Sequence, residues 1–190
     1  VSCDIAKGHW VAHHNLFSVP RDYDSEMVEA KDEALPETVK TESGMKFWGY
    51  RRAEGRPGIR NHILILPTCA CGSESARIIA SQVKGAVNIV FNTGCSDVQA
   101  NTDMSQKVLT GFACNPNVWG VVIIGLGCET VPHAKLKEKI QAMTSKPVVS
   151  FGIQDEGGTL KTIEKGVRVA REMAAQAGLQ QKELFDISEL

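Results

Sequence analysis

The chain contains no apolar run that could cross a bilayer. Its longest, Val118 to Leu126, is under half of the ~20 residues a spanning helix takes. It carries no excess of either charge: 21 Lys and Arg against 22 Asp and Glu leave a net −1. No global field therefore draws nucleic acid or an anionic membrane surface, and neither is expected as a partner. The opening "VSCDIAKGHW" lacks the continuous apolar core of a secretory leader, so a cytoplasmic setting is expected. There is no paired CxxC, no GxGxxG in the order of a dinucleotide site, and no sequence repeat. Cysteine, by contrast, is not scarce. In a reducing compartment the six cysteines are expected as thiols or metal ligands rather than disulfides.

With 190 residues the chain holds one good domain and a tail. Residues 1–15 form a short mixed segment ending in "HWVAHHN". From 16 to 45 the composition shifts: Pro20, Pro36, eight acidic and three basic residues, and no sustained apolar period. That stretch reads as an extended N-terminal linker or arm, with a short helix around Glu26 to Leu35.

From Lys46 the pattern changes. Four apolar runs, "HILILP", "VNIVF", "VWGVVIIGL" and "PVVSF", alternate with amphipathic stretches. The first of these stretches, "SESARIIASQV", starts with a serine cap. The others run from about Asp97 to Ala113, from His133 to Met143, and from Thr159 to about Ala177. Near-continuous apolar strands alternating with helices predict a parallel sheet covered on both faces. The expected fold is a three-layer α/β domain over 46–180, Rossmann-like or flavodoxin-like, of about four βα units.

In such a sheet ligands gather outside the carboxyl ends of the strands. The four loops expected there are "TCACGSES", "NTGCSDVQ", "GLGCETVP" and "GIQDEGGT". Three of them carry cysteine: Cys69 and Cys71, Cys95, and Cys128. Each is expected to open a helix, whose N-terminus favours thiolate, the metal-binding form. Converging thiolates suit an iron–sulfur cluster with one open iron, or a thiolate-bound iron or zinc. Small residues favoured at crowded turns are the competing explanation. Gly157, Gly158 and Thr159, from "DEGGT", offer backbone N–H groups and a threonine cap, a seat for a carboxylate or phosphate or a plain helix cap. Arg51, Arg52, Arg56 and Arg60 sit together ahead of the first strand. They are either a polyanion clamp or a solvated loop. Of the histidines, His62 and His133 read as structural, and His14 as a surface residue or a metal ligand.

The segments "FWGYRRAEGRPGIRNHILILPTCACGSESAR", "NTGCS", "NPNVWGVVIIGLGCE" and "GGT" resemble the altronate and galactarate dehydratase family, which also contains the sulfolactate sulfo-lyases. The likeness runs from about Phe47 to Ala177. "DIAKGHWVAHHN" is similar to the end of that family's small SAF-type domain, with His14 and Asn15 in place and Ala12 where the family often has another histidine. "DISEL" (Asp186 to Leu190) resembles the lead into a C-terminal half absent here. Residues 181–190 then precede a missing half or partner subunit.

The resemblance implies iron-dependent β-elimination of water from a sugar acid; a homo-oligomer is expected. It implies Cys71, Cys95 and Cys128 as ligands of iron, as Fe2+ or a cluster, or of another divalent metal, with His14 as a further metal ligand. Cys69 stands where the family usually has an apolar residue, and is expected as a neighbour only. Glu129 is expected as a second ligand or acid/base. Arg60 is expected to steady developing charge in catalysis, while Arg51, Arg52, Arg56 and the 157–159 loop hold substrate. Two other readings stay open: a sulfo-lyase acting on sulfolactate, and a non-catalytic metal- or acid-binding module.

Overall fold

The structure, a computed structural model, describes residues 44–95 and 98–190. His14, the 1–15 segment and the arm up to residue 43 lie outside the described residues. Four parallel strands form the central sheet: β2 (His62–Pro67), β3 (Ala86–Asn88), β4 (Val118–Gly125) and β5 (Val148–Gly152). They follow β1 (Lys46–Gly49) in the chain, and β6 (Glu183–Asp186) comes last. The sheet order is β3-β2-β4-β5, with every pairing parallel. The third strand of the sheet thus lies beside the first, which is the flavodoxin-like winding, and its switch point falls between β2 and β4.

Strand periodicity explains the three layers. In β2, Ile63 and Ile65 face one side and Leu64 and Leu66 the other; in β4, Val122 and Ile124 oppose Val121 and Ile123. The first set packs against α1 (Ala70–Ser81) and α4 (Thr159–Gly178). The second packs against α2 (Gln99–Cys114) and α3 (His133–Gln141). Ile63, Ile65, Leu66, Ile123 and Ile124 are wholly or almost wholly excluded from solvent. Burial of each such side chain contributes roughly 1.5–3 kcal/mol. No helix among the described residues is long and apolar enough to cross a membrane.

Three local expectations differ. Helix α1 starts at Ala70, with Cys69 rather than a serine as N-cap. Ser73 serves elsewhere: its Oγ donates to the Phe91 carbonyl (2.9 Å) and accepts from the Phe91 N–H (3.1 Å). β3 stops at Asn88 instead of running through "VNIVF", and Phe91 bonds Ser73 rather than a neighbouring strand. β1 and β6, which carry no period of their own, pair antiparallel into a two-stranded ribbon, Phe47 opposite Phe185. The segment beyond residue 180 is therefore tied back to the start of the domain.

Candidate metal centre at the carboxyl edge

The loops after β2, β3 and β4 are laced together by their own backbones. The Thr68 N–H donates to Ile124 O (3.0 Å), Ala70 N–H to Thr93 O (2.8 Å), and Thr130 N–H to Gly94 O (2.8 Å). Gly94 lies at the centre of this lacing, buried, with φ +96°. A Cβ placed there would stand 2.7 Å from Cys69 Cα and 2.9 Å from its Cβ. The glycine of "NTGCS" therefore does more than permit a turn. Without a side chain, it lets the loop after β3 press onto the loop after β2 and carry Cys95 with it.

The result is one group of thiols. The Sγ atoms of Cys69, Cys71 and Cys95 all lie within 4.8 Å of one another. Cys71 and Cys95 meet as the sequence leads one to expect. The third member is Cys69, fully buried as the N-cap of α1, which the family resemblance had set aside as a neighbour. Cys128 lies outside this group, though near enough for its charge to act on Cys95. It is exposed on the β4–α3 loop.

The expectation that each cysteine opens a helix holds only for α1; α2 is capped by Val98 and α3 by Pro132. Burial pushes the Cys69 thiol up to about 11, partly offset by the Gly72 N–H. Loss of solvent, then the neighbouring Cys71 and Cys128, raises Cys95 as well. Both thiols are thus protonated at neutral pH, and a cation must displace their protons. Affinity should therefore rise with pH below the thiol range, by about tenfold per pH unit for each proton released. A Co2+ titration against a chromophoric chelator at several pH values between 6 and 8 checks this; an affinity flat in pH would contradict it.

Glu129, the expected ligand or acid/base, is instead committed to its own loop. Its carboxylate accepts from the N–H groups of Leu126 (3.0 Å), Gly127 and His133 (3.1 Å). Burial opposes its ionisation, but the backbone donors outweigh that and hold the carboxyl below its ordinary range. Such a group orients Cys128's loop, with three of its roughly four lone-pair sites taken by backbone donors. His133 lies between two strand ends. A Cβ on Gly125 would meet its Cδ2 at 2.5 Å, and one on Gly152 its Nε2 at 3.2 Å. The ring's Nε2 faces Asp155 Oδ2 at 3.5 Å, and its buried Nδ1 has no partner. Sequence reading took this histidine as structural; only the convergence of the β4 and β5 loops reveals the pair.

Gly157, Gly158 and Thr159 do lie on this edge, as the order of elements requires. Both glycines have positive φ, +80° and +112°. Their N–H groups are used within the turn, to Gln154 O (3.2 Å) and Ile153 O (2.8 Å). Gly158, not Thr159, caps α4.

The arginines lie at the opposite edge. Arg60 immediately precedes β2, and its N–H donates to Asn117 Oδ1 (3.0 Å) just ahead of β4. Arg52 donates to Pro116 O (2.7 Å), Arg60 O (2.9 Å) and Gln180 Oε1 (3.2 Å). Arg51 pairs with Glu183 (2.7 Å), and Arg56 reaches Leu190 O (2.8 Å). The length of β2, roughly 20 Å at ~3.3 Å per residue, separates them from the thiols. Within this domain Arg51 holds β6, Arg52 the turn ahead of β4 and Arg56 the end of the described chain, all away from the thiol site.

Known proteins with similar sequences bear on this arrangement. A (2R)-sulfolactate sulfo-lyase subunit beta of Chromohalobacter salexigens is 38% identical over 147 residues, covering 77% of this chain and 37% of that protein. An altronate dehydratase of Bacillus subtilis is 29% identical over 157 residues (76% and 30%), and one of Escherichia coli 30% over 147 (72% and 29%). The chain spans about a third of the length of these curated relatives. No solved structure matches it. The family described as D-galactarate dehydratase/altronate hydrolase, second domain, matches residues 49–178, which take in all three cysteine loops and the sheet that gathers them. The chain belongs to that family.

Proposed function

We propose that this domain holds the metal centre of an iron-dependent hydro-lyase that dehydrates a sugar acid by β-elimination, the rest of the enzyme completing the site. The observation that carries this reading is the gathering of Cys69, Cys71 and Cys95 within 4.8 Å on the loops that follow β2 and β3. Three thiolates on one tetrahedral ion, with metal–sulfur bonds near 2.3 Å, stand about 3.8 Å apart. That spacing suits a single ion shared by the three. A ferrous ion bound there would supply Lewis acidity toward the departing hydroxyl.

The chain's own residues divide the remaining work. Gly94 and the Glu129 carboxylate hold the loops in register. Among the described groups on this rim, Asp155 is exposed and His133 Nε2 stands behind it, so this pair takes the proton from the carbon beside the substrate carboxylate. A second reading, loss of sulfite rather than water, draws on the higher identity to the sulfo-lyase subunit, 38% against 29% and 30%.

Anaerobic iron and sulfide analysis tests the centre, with turnover measured on altronate, galactarate and sulfolactate in the presence of the remaining family segment. One iron without acid-labile sulfide is expected; sulfide equal to iron would replace the single ion by a cluster. Protein that takes up no iron would leave only a non-catalytic module. Asp155→Asn is expected to keep its iron and lose about 10²–10⁴ in turnover. Full activity of that variant would remove the proton role from the pair without touching the metal reading.

A further inference from the structure

Thiols gathered from two loops can do more than hold a cation. Cys71 and Cys95 are exposed, while Cys69 is fully buried. The Sγ atoms of all three lie within 4.8 Å of one another. A disulfide joins its sulfurs at ~2.05 Å, so Cys71 and Cys95 need to close by at most about 3 Å, within the span of rotation about their Cα–Cβ bonds. The backbone need not travel far, because the two loops are already tied. The Ala70 N–H donates to Thr93 O (2.8 Å), and Gly94 packs against Cys69. Exposure then selects the pair: a peroxide dissolved in water reaches Cys71 and Cys95 and is kept from Cys69. A sulfenic acid formed at either position has the other thiol at hand, the arrangement of a redox-sensing cysteine and its resolving partner.

We infer that Cys71 and Cys95 form a reversible disulfide switch that shuts the metal site in response to peroxide. One thiol's sulfur attacks the peroxide O–O bond, giving a sulfenic acid and a first water. The second sulfur then displaces the sulfenic oxygen; the S–S bond forms, and the oxygen leaves with the second thiol's proton as another water. Two thiols are oxidised by two electrons and one hydrogen peroxide is reduced to two waters. A small dithiol reverses the step by thiol–disulfide exchange. Disulfide sulfurs carry no thiolate charge, so the bridged protein keeps only Cys69 of the group and loses its metal, and a bound metal in turn shields both sulfurs. The switch rests on the metal reading proposed above, whereas the bridge itself requires only the thiols.

The 190-residue chain, stripped with a chelator and treated with hydrogen peroxide, tests this by intact mass and mapping of linked peptides. A loss of about 2 Da is expected, with Cys71 joined to Cys95 and Co2+ binding abolished until dithiothreitol restores it. The Cys128→Ser variant should form the same link. Zn2+ at about ten times its dissociation constant should slow bridging roughly tenfold, since only about a tenth of the protein then stays metal-free. A gain of about 32 Da per sulfur, sulfinic acid in place of a bridge, would overturn the inference and leave the metal reading intact. Bridging that Zn2+ fails to slow would sink the metal reading, and the switch with it.

Discussion

Cys69→Ser is expected to cost at least about 100-fold in iron affinity, since loss of an inner ligand exceeds the 10–100-fold that outer partners are worth. Cys128→Ser is expected to change it by less than about tenfold. The contrast separates the thiols that the structure groups, Cys69, Cys71 and Cys95, from the set implied by family resemblance, which has Cys128 in place of Cys69. The substitution is well suited to the question. Serine is nearly isosteric with cysteine, and Cys69 is the N-cap of α1, a position where serine is among the preferred residues. Thermal unfolding should therefore change little, so that lost iron reports lost ligation. Anaerobic equilibrium dialysis of the two variants reads the outcome directly. Retained iron in the first and lost iron in the second would restore Cys128 to the centre.

Gly94→Ala is expected to lower stability by roughly 2–6 kcal/mol and to abolish metal binding together with it. Two costs add. A methyl group there meets Cys69 Cα at 2.7 Å, and forcing atoms into a packed site costs about 1–3 kcal/mol. Backbone at φ +96° adds about 1–3 kcal/mol for a residue other than glycine. Against a total of ~5–15 kcal/mol for a folded domain this is a large fraction. Relief of the clash would require moving the β3–α2 loop away from α1, and that movement carries Cys95 out of reach of Cys69 and Cys71. Gly85→Ala is the matched comparison: φ is again positive, at +87°, but nothing lies within 4 Å of the added methyl. It should lose stability through backbone strain alone and keep its metal. Chemical denaturation with parallel metal titration distinguishes the two; a Gly94→Ala protein that binds iron normally would show that the loop approach is dispensable.

Much of the scaffold was legible without coordinates because its causes are local. "HILILP" and "VWGVVIIGL" are apolar at every alternate position in both phases, so each strand must be covered on both faces. The order of strands and helices then places every strand-to-helix loop at one edge. The same logic, applied to the arginines, would have placed them at the other edge: residues that precede a strand lie at its amino end. Grouping them with the thiols weighed their chemistry and overlooked their side of the strand.

What the residues could determine by themselves was therefore the α/β class, the edge at which Cys71 and Cys95 meet, and the family motifs. The tertiary structure alone decided that Cys69 stands with them, that Glu129 spends its oxygens on backbone N–H groups, and that His133 faces Asp155. It also decided that residues 183–186 return to cover Phe47. The reason is physical. Helix and strand periods are set by neighbours a few residues away. The direction in which a loop side chain points is set by hydrogen bonds and close approaches between loops separated by tens of residues, and no period in the chain encodes them.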